Sequence, residues 1–279
     1  MSDFILSIVC SIFEIINFII FKLGRFCLFI FCSSTRINDN GRGEVFNDID
    51  MVFFRYHQRA IAINHLRLMM SEPFFIKRHS KLQVLGEVHD VRLYLLVHMG
   101  CYYNTVAHII AKHKTKTTFY VPLAIGLSGS WIEKHIKRLS AFGHSIITGP
   151  IDDKNFLLSM YKSILKDKHS KIIIFIDLPR VASPTSASYE HIFFGRKASF
   201  ISGYLHIIKK FKVDACAVSS SYGLKRTEII SFSDILHYED KDINSKAIKF
   251  IETSILSSPY DWKYLSIVEF YYHFYRMKI

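Results

Sequence analysis

His98 closes the apolar run Leu93-Tyr94-Leu95-Leu96-Val97 and is followed at once by Met99-Gly100 and a helix-like stretch. A strand that runs into a glycine and then a helix carries its last side chain to the carboxyl edge of a sheet. Open α/β sheets bind ligands and do chemistry at that edge. An imidazole there, with an ordinary pKa near neutrality, can take a proton from a hydroxyl group. Two carboxylates come into question as its partner. Asp90 precedes the same strand, and a strand of about 26 Å, at about 3.3 Å per residue, puts it at the wrong sheet edge. Asp177 ends the apolar run Ile172 to Ile176, so it shares an edge with His98 if the two strands are parallel. A turn or helix cap is the other reading of Asp177. A structural role also stays open for His98, one of fourteen histidines, and a core role for Tyr102 and Tyr103.

The elements that must position these groups alternate along the chain. Val52 to Met70 reads as a helix ended by Pro73. Leu82 to Gly86 and Arg92 to His98 are strand-like, with Val88-His89-Asp90 between them. Cys101 to His113 is helical, and Thr117 to Val121 is a β-branched strand that Pro122 stops. Trp131 to Phe142 is an amphipathic helix, His144 to Thr148 a short strand, and Asn155 to Lys166 a helix. Lys171 to Asp177 has the continuous apolar character of a strand buried on both faces. A helix is expected over Ser199 to Phe211, strands over Val213 to Ser219 and Glu228 to Phe232, and helices over Ile243 to Leu256 and about Tyr260 to Tyr275. This alternation implies an α/β fold with a mixed, largely parallel sheet flanked by helices.

The 279 residues carry a formal net charge of +12, and half of them are hydrophobic. Mean hydropathy is +0.18 and the pI about 9.4. The expected partners are therefore anionic: phospholipid headgroups, a phosphorylated glycolipid or an acidic carrier protein. Nucleic acid is not expected, because the basic runs lack an ordered aromatic platform. Lysine clusters at 162, 166 and 168 and at 209, 210 and 212 are usually solvated faces, though beside a membrane they can meet anionic lipid. The five cysteines show no metal or disulfide spacing, which suggests free thiols in a reducing compartment and no metal site.

Phe4 to Phe21 is an almost uninterrupted apolar stretch, followed by Lys22 and Arg25, a second apolar run over Phe26 to Cys32, and Arg36. About 18 residues just reach the length that spans a bilayer. Positive charge after the segment places the body in the cytoplasm. Ser7, Cys10, Ser11, Glu14 and Asn17 share one helical face, so an interfacial helix or one packed on protein is also open. Residues 1–36 are read as a membrane-anchoring segment and 37–279 as the functional domain.

Several local patterns then fall in order. His98-Met99-Gly100-Cys101-Tyr102-Tyr103 resembles the His-Phe-Gly-Asn-Trp-Glu region of the lauroyl/myristoyl acyltransferases of lipid A biosynthesis. Phe142-Gly143 before a short strand, and Ile172 to Asp177, are similar to that family's Phe-Gly and its buried strand ending in aspartate. Ile192-Phe193-Phe194-Gly195-Arg196-Lys197-Ala198 resembles its Pro-Phe-Phe-Gly-Arg-x-Ala segment, again before a helix. Pro259-Tyr260-Asp261-Trp262 resembles its Pro-x-x-Trp signature. The likeness covers roughly residues 80 to 265.

The resemblance implies a glycerolipid acyltransferase-like fold and an enzyme at the cytoplasmic face of an inner membrane. It implies transfer of a fatty acyl chain from acyl carrier protein, or coenzyme A, to a hydroxyl of a lipid or glycolipid acceptor, with no cofactor beyond that donor. Histidine would act as the base and a carboxylate five residues on would orient it. Here that fifth residue is Tyr103, neutral at pH 7. Val121 stands where the family's Arg-Pro-Leu has its arginine, and Lys137 and Arg138, or Arg180 and Arg196, could supply charge from elsewhere. Gly100, Phe194 and Gly195 complete the candidate substrate-binding set. Two functions stay open: an acyltransferase using His98 with Tyr103 or Asp177, and a catalytically inactive relative that binds lipid or acyl carrier protein as a scaffold.

Overall fold

The computed structural model describes residues 8–9, 11–20, 22, 50–70, 82–124, 127, 129–180, 188–222 and 227–272. Most of the expected anchoring segment, Pro73 and the turn-rich stretch at 38–43 lie outside them. The elements in chain order are α1 (Met51–Met70), β1 (Leu82–Leu85), β2 (Leu93–Leu96), α2 (Tyr102–Lys112), β3 (Thr118–Leu123), α3 (Trp131–Arg138) and β4 (Ser145–Pro150). They continue with α4 (Lys154–Lys166), β5 (Ser170–Phe175), β6 (Ser188–Phe193), β7 (Arg196–Ile201), α5 (Gly203–Phe211), β8 (Ala215–Tyr222), β9 (Glu228–Leu236) and α6 (Ile243–Ser257).

Seven strands form one sheet in the order β1-β9-β8-β2-β5-β3-β4. The strands β2, β3, β4, β5 and β8 are mutually parallel, while β9 is antiparallel to β8 and carries β1 with it. Helices cover both faces, as the alternation of strand and helix implies. The central strand β2 displays why its sequence is apolar throughout. Leu93 and Leu95 pack with α4, α5 and α6 on one face, and Tyr94 and Leu96 pack with α2 and α3 on the other. Successive side chains of a strand point to opposite faces, and all four residues are 0% exposed.

Local chemistry sets the helix starts. Ser130 caps α3 by accepting the Glu133 N–H, and the Glu133 carboxylate returns to the Gly129 N–H at 2.6 Å. Asp153 caps α4 by accepting from Asn155 and Phe156. Such caps are worth about 1 kcal/mol each.

Three expectations are corrected. Pro122 does not stop β3 but lies inside it, opposite Gly149. The Leu123 carbonyl accepts from Ile151 on the β4 side, so Pro122 faces the other way, where pairing with β5 has ended at Tyr120. Its missing N–H is not needed there. Secondly, Ser199 to Phe211 is not one helix. Arg196–Ile201 is a strand paired with β6, and the helix begins only at Gly203. Phe194 and Gly195 both have positive φ, 49° and 76°, which makes their two-residue hairpin loop of the primed type whose twist matches the strands. Finally, the C-terminal helix is replaced by two 3-10 turns, Pro259–Asp261 and Leu265–Tyr271. Trp262 between them bridges Met99.

Among the described residues no helix is long and apolar enough to cross a membrane. Residues 11–20 are helical, with Ile12, Phe13, Ile16 and Ile20 about half exposed. Asn17 alone of these is buried, and its amide donates to the Tyr56 carbonyl of α1 at 3.1 Å.

Candidate active site

Parallel pairing of β2 with β5 aligns Leu93 with Ile172 and Leu96 with Phe175. The pairing runs on, since the Ile176 N–H donates to the Leu96 carbonyl at 3.0 Å. Continued for two residues, the same register sets His98 beside Asp177 at the carboxyl edge of the sheet. The Asp177 Oδ1 lies 2.7 Å from His98 Nδ1, and its Oδ2 accepts the His98 backbone N–H at 2.9 Å. Trp262 Nε1 donates to the same Oδ2 at 3.1 Å, and the Tyr271 hydroxyl to the Asp177 carbonyl at 2.6 Å.

Asp177 is 0% exposed, so these donors replace the water it has lost. An aspartate held on Nδ1 keeps the proton there and leaves Nε2 as the acceptor. Aromatic rings fix the imidazole plane: Phe175 stacks on it at 4.1 Å, while Tyr102 and Tyr264 meet it edge-on at 5.1 Å. A buried carboxylate on Nδ1 and a restrained ring are an arrangement that can take up a proton at Nε2.

His98 lines a cavity of about 350 Å³ whose walls include Val121, Leu123, Ile136, Ile174 and Ile176. That is within the range of ligand pockets and its lining is largely aliphatic. Tyr103 lines it too, with its ring 4.5 Å from that of Tyr102. Burial raises the pKa of the Tyr103 hydroxyl, so it stays neutral, and Asp177 is the group that meets the imidazole. Asp90, at the other sheet edge, binds Lys171 at 2.6 Å instead.

The remaining sequence candidates do not line this cavity. Gly100 faces Ser220, whose carbonyl oxygen would be 2.8 Å from an added Cβ, and its N–H donates to the Asp261 carbonyl. Arg138 is exposed at the end of α3. Arg180 is half-buried three residues beyond Asp177. Arg196 lies 3.8 Å over the Tyr272 ring. Phe194 packs behind the pair, its ring 6.4 Å from Trp262 and its N–H bonded to Glu252. Gly195 turns the hairpin.

Sequence reasoning missed Lys263. Its backbone N–H donates to the His98 carbonyl at 3.0 Å. Its ammonium stands 5.8 Å from the Tyr102 and Tyr264 ring centres, and it lines the cavity with His98. Desolvation lowers its pKa, with Asp177 opposing. The only signal for it in the sequence is its place directly after Trp262.

Cys101 and Cys216 are both buried, and burial pushes the Cys216 thiol up to about 11, which removes it as a nucleophile. Among the described residues no group of three His, Cys, Asp or Glu side chains could hold a metal ion. The basic ends of α4 and α5 meet through Tyr161 and Phe211 at 5.1 Å. Those ends precede β5 and β8, so their lysines gather at the sheet edge opposite His98. No family model matches the chain, and no curated protein was found similar to it.

Proposed function

We propose that the protein is an O-acyltransferase that moves a fatty acyl chain from a thioester donor, acyl carrier protein or coenzyme A, to a hydroxyl of a lipid or glycolipid acceptor. One observation carries this reading: a histidine oriented by a buried aspartate on the wall of a largely aliphatic cavity. The base supplies what an alcohol needs in order to attack, and the cavity suits an alkyl chain.

In the proposed reaction the acceptor hydroxyl gives its proton to His98 Nε2 as its oxygen bonds to the thioester carbonyl carbon. Asp177 holds the imidazolium. Negative charge gathers on the former carbonyl oxygen, and Lys263 is the nearest cation of the described cavity lining to stabilise it. When the C–S bond breaks, the sulfur leaves with the pair and takes the proton back from His98. Ester and thiol are the products, and atoms and charge balance.

The net charge of +12 favours an acidic carrier protein as donor and anionic phospholipid as surroundings. The exposed apolar side chains of residues 12–20 support attachment to the cytoplasmic face of an inner membrane. The test uses the full chain with labelled acyl carrier protein and lipid acceptors. Transfer that depends on His98 and Asp177 upholds the reading. Its absence, with acyl carrier protein or lipid still bound, overturns it in favour of an inactive scaffold.

A further inference from the structure

Six exposed lysines gather on one face of the protein: Lys162 and Lys166 of α4, Lys168 after it, Lys209 and Lys210 of α5, and Lys212 after it. Among the described residues none of the six forms an ion pair. Lysines elsewhere do find carboxylates, as Lys137 does with Glu133, Lys197 with Glu190 and Lys246 with Asp240. The acids nearest in sequence are engaged by their own chain. Asp167 accepts the His169 N–H and the Ser170 hydroxyl, and Asp214 meets His237 and the Tyr238 N–H. The Tyr161 and Phe211 rings, 5.1 Å apart, join the two helices, so the six charges share a single surface. Negative helix ends account for Lys166, Lys209 and Lys210 in the last turns. They do not account for Lys162 or for the leucines beside it. Leu158 and Leu165 are 54% and 67% exposed, and with Lys162 they stand at i, i+4 and i+7, one outward stripe of α4. Such a face complements a protein surface that sets apolar side chains among carboxylates.

The place of this face in the fold narrows the partner. Both helices begin at the aliphatic cavity, since Ile151, three residues before α4, and Gly203, the first residue of α5, line it. With 13 and nine residues the helices are about 20 and 14 Å long, so the lysines of their last turns stand about that far from the cavity. The exposed apolar helix at residues 11–20 is held elsewhere. Asn17 fixes it to α1, and α1 is tied through His57 and Gln58 to Asp261 and Tyr260 at the carboxyl edge. The lysine ends lie at the amino edge, so a bilayer that takes up that helix leaves them to a soluble partner. Resting on the acyl-transfer reading, we propose that the outer face of α4 and the last turn of α5 dock the acidic carrier protein that brings the donor. Its carboxylates meet the lysines and its apolar side chains meet Leu158 and Leu165, while the tethered thioester reaches along α5 to His98.

The test measures the affinity of acyl carrier protein for the full chain, separately from transfer. Lys162→Glu with Lys209→Glu is compared with Lys112→Glu plus Lys134→Glu. The second pair changes the net charge equally, but its exposed lysines belong to α2 and α3, which pack on the other face of the sheet. The α4–α5 pair should raise Kd about tenfold, and less at high salt. The α2–α3 pair should raise it less than about twofold. Leu165→Ser should raise it about fivefold at any salt concentration, through lost apolar burial. His98→Ala should bind as the natural chain does. Carrier binding without transfer then rejects the reaction and keeps the surface, whereas transfer from acyl-coenzyme A without carrier binding keeps the reaction and rejects the surface. Equal loss in the two charge pairs, or no binding by the natural chain, overturns the proposal. So does an α4–α5 pair that binds the carrier normally but is retained less on phosphatidylglycerol vesicles, which would assign the face to a bilayer.

Discussion

Two histidine–aspartate pairs in this protein have the same 2.7 Å contact, His98–Asp177 and His57–Asp261. They differ in which ring nitrogen is engaged and in what surrounds the carboxylate. The Asp177 carboxylate takes Nδ1 and two further donors, the His98 N–H and the Trp262 indole, and its histidine borders the aliphatic cavity at the sheet edge. Asp261 takes Nε2 of His57 and the backbone N–H of Tyr222 at 3.0 Å, and so ties α1 to the C-terminal segment and to β8. Burial is the first influence on Asp261 and raises its pKa, with His57 opposing. Near it Glu228, bonded to Asn104, is pushed up to about 8 by desolvation. Distance alone therefore does not assign a role. The first arrangement leaves a nitrogen for chemistry, while the second joins three parts of the chain.

The largest expected effect breaks the first pair. Asp177→Asn retains the shape of the side chain but can hold the ring in the wrong tautomer, and in a comparable hydrolase triad that change lowers the rate about 10⁴-fold. Transfer per folded molecule, measured with labelled acyl carrier protein, should fall by that order. A loss under tenfold would mean that Asp177 is not the partner of the base. In the second pair, His57→Gln should act on stability instead. Removing one partner of a buried hydrogen bond costs about 1–3 kcal/mol, read as a lower denaturant midpoint. Transfer per folded molecule should remain at least 100-fold above that of Asp177→Asn. If His57→Gln matches Asp177→Asn in rate without loss of stability, the contrast between the pairs fails.

A smaller effect concerns the cation beside the first pair. Lys263→Met should lower kcat about 10²-fold, as loss of one oxyanion donor does elsewhere, with KM little changed. The lysine acts as ammonium, and its pKa is lowered chiefly by desolvation. Activity should therefore fall off at a pH below the ordinary lysine value, and Lys263→Arg should move that limb upward. An unmoved alkaline limb would remove the lysine from the reaction.

The path from sequence to this comparison was uneven. From the strand types His98 and Asp177 share a sheet edge on the condition that the two strands are parallel; their adjacency and register come from the pairing of β2 with β5. The lysine could not be placed even so far, since it reaches His98 through the Met99–Trp262 bridge, a contact between distant segments that no periodicity encodes. The β6–β7 hairpin was hidden for a different reason. Its loop is Phe194-Gly195, and a phenylalanine at positive φ lacks the Asn-Gly signal of such turns. Its ring packing on Phe193 at 4.1 Å offsets the strain. Asp261 was legible only as part of a Pro-x-x-Trp pattern, and its pairing with His57 joins positions 204 residues apart.

The mildest test sharpens the second region through pH. Glu228 is buried and its pKa is raised from the ordinary 4.5 to about 8, so the native state prefers the neutral acid. The unfolded chain ionises first. Its contribution to stability is thus fully present below about 4.5 and is lost as pH rises to about 8, with a slope of at most about 1.4 kcal/mol per pH unit. Glu228→Gln keeps an acceptor for Asn104 and abolishes the titration. Denaturant midpoints from pH 5 to 9 should decline for the natural chain and flatten in the variant. Asp261, also raised by burial and close enough to Glu228 to influence it, keeps a residual slope of the same sign at lower pH. A variant whose decline between pH 6 and 8 equals that of the natural chain would show that Glu228 does not titrate in that range.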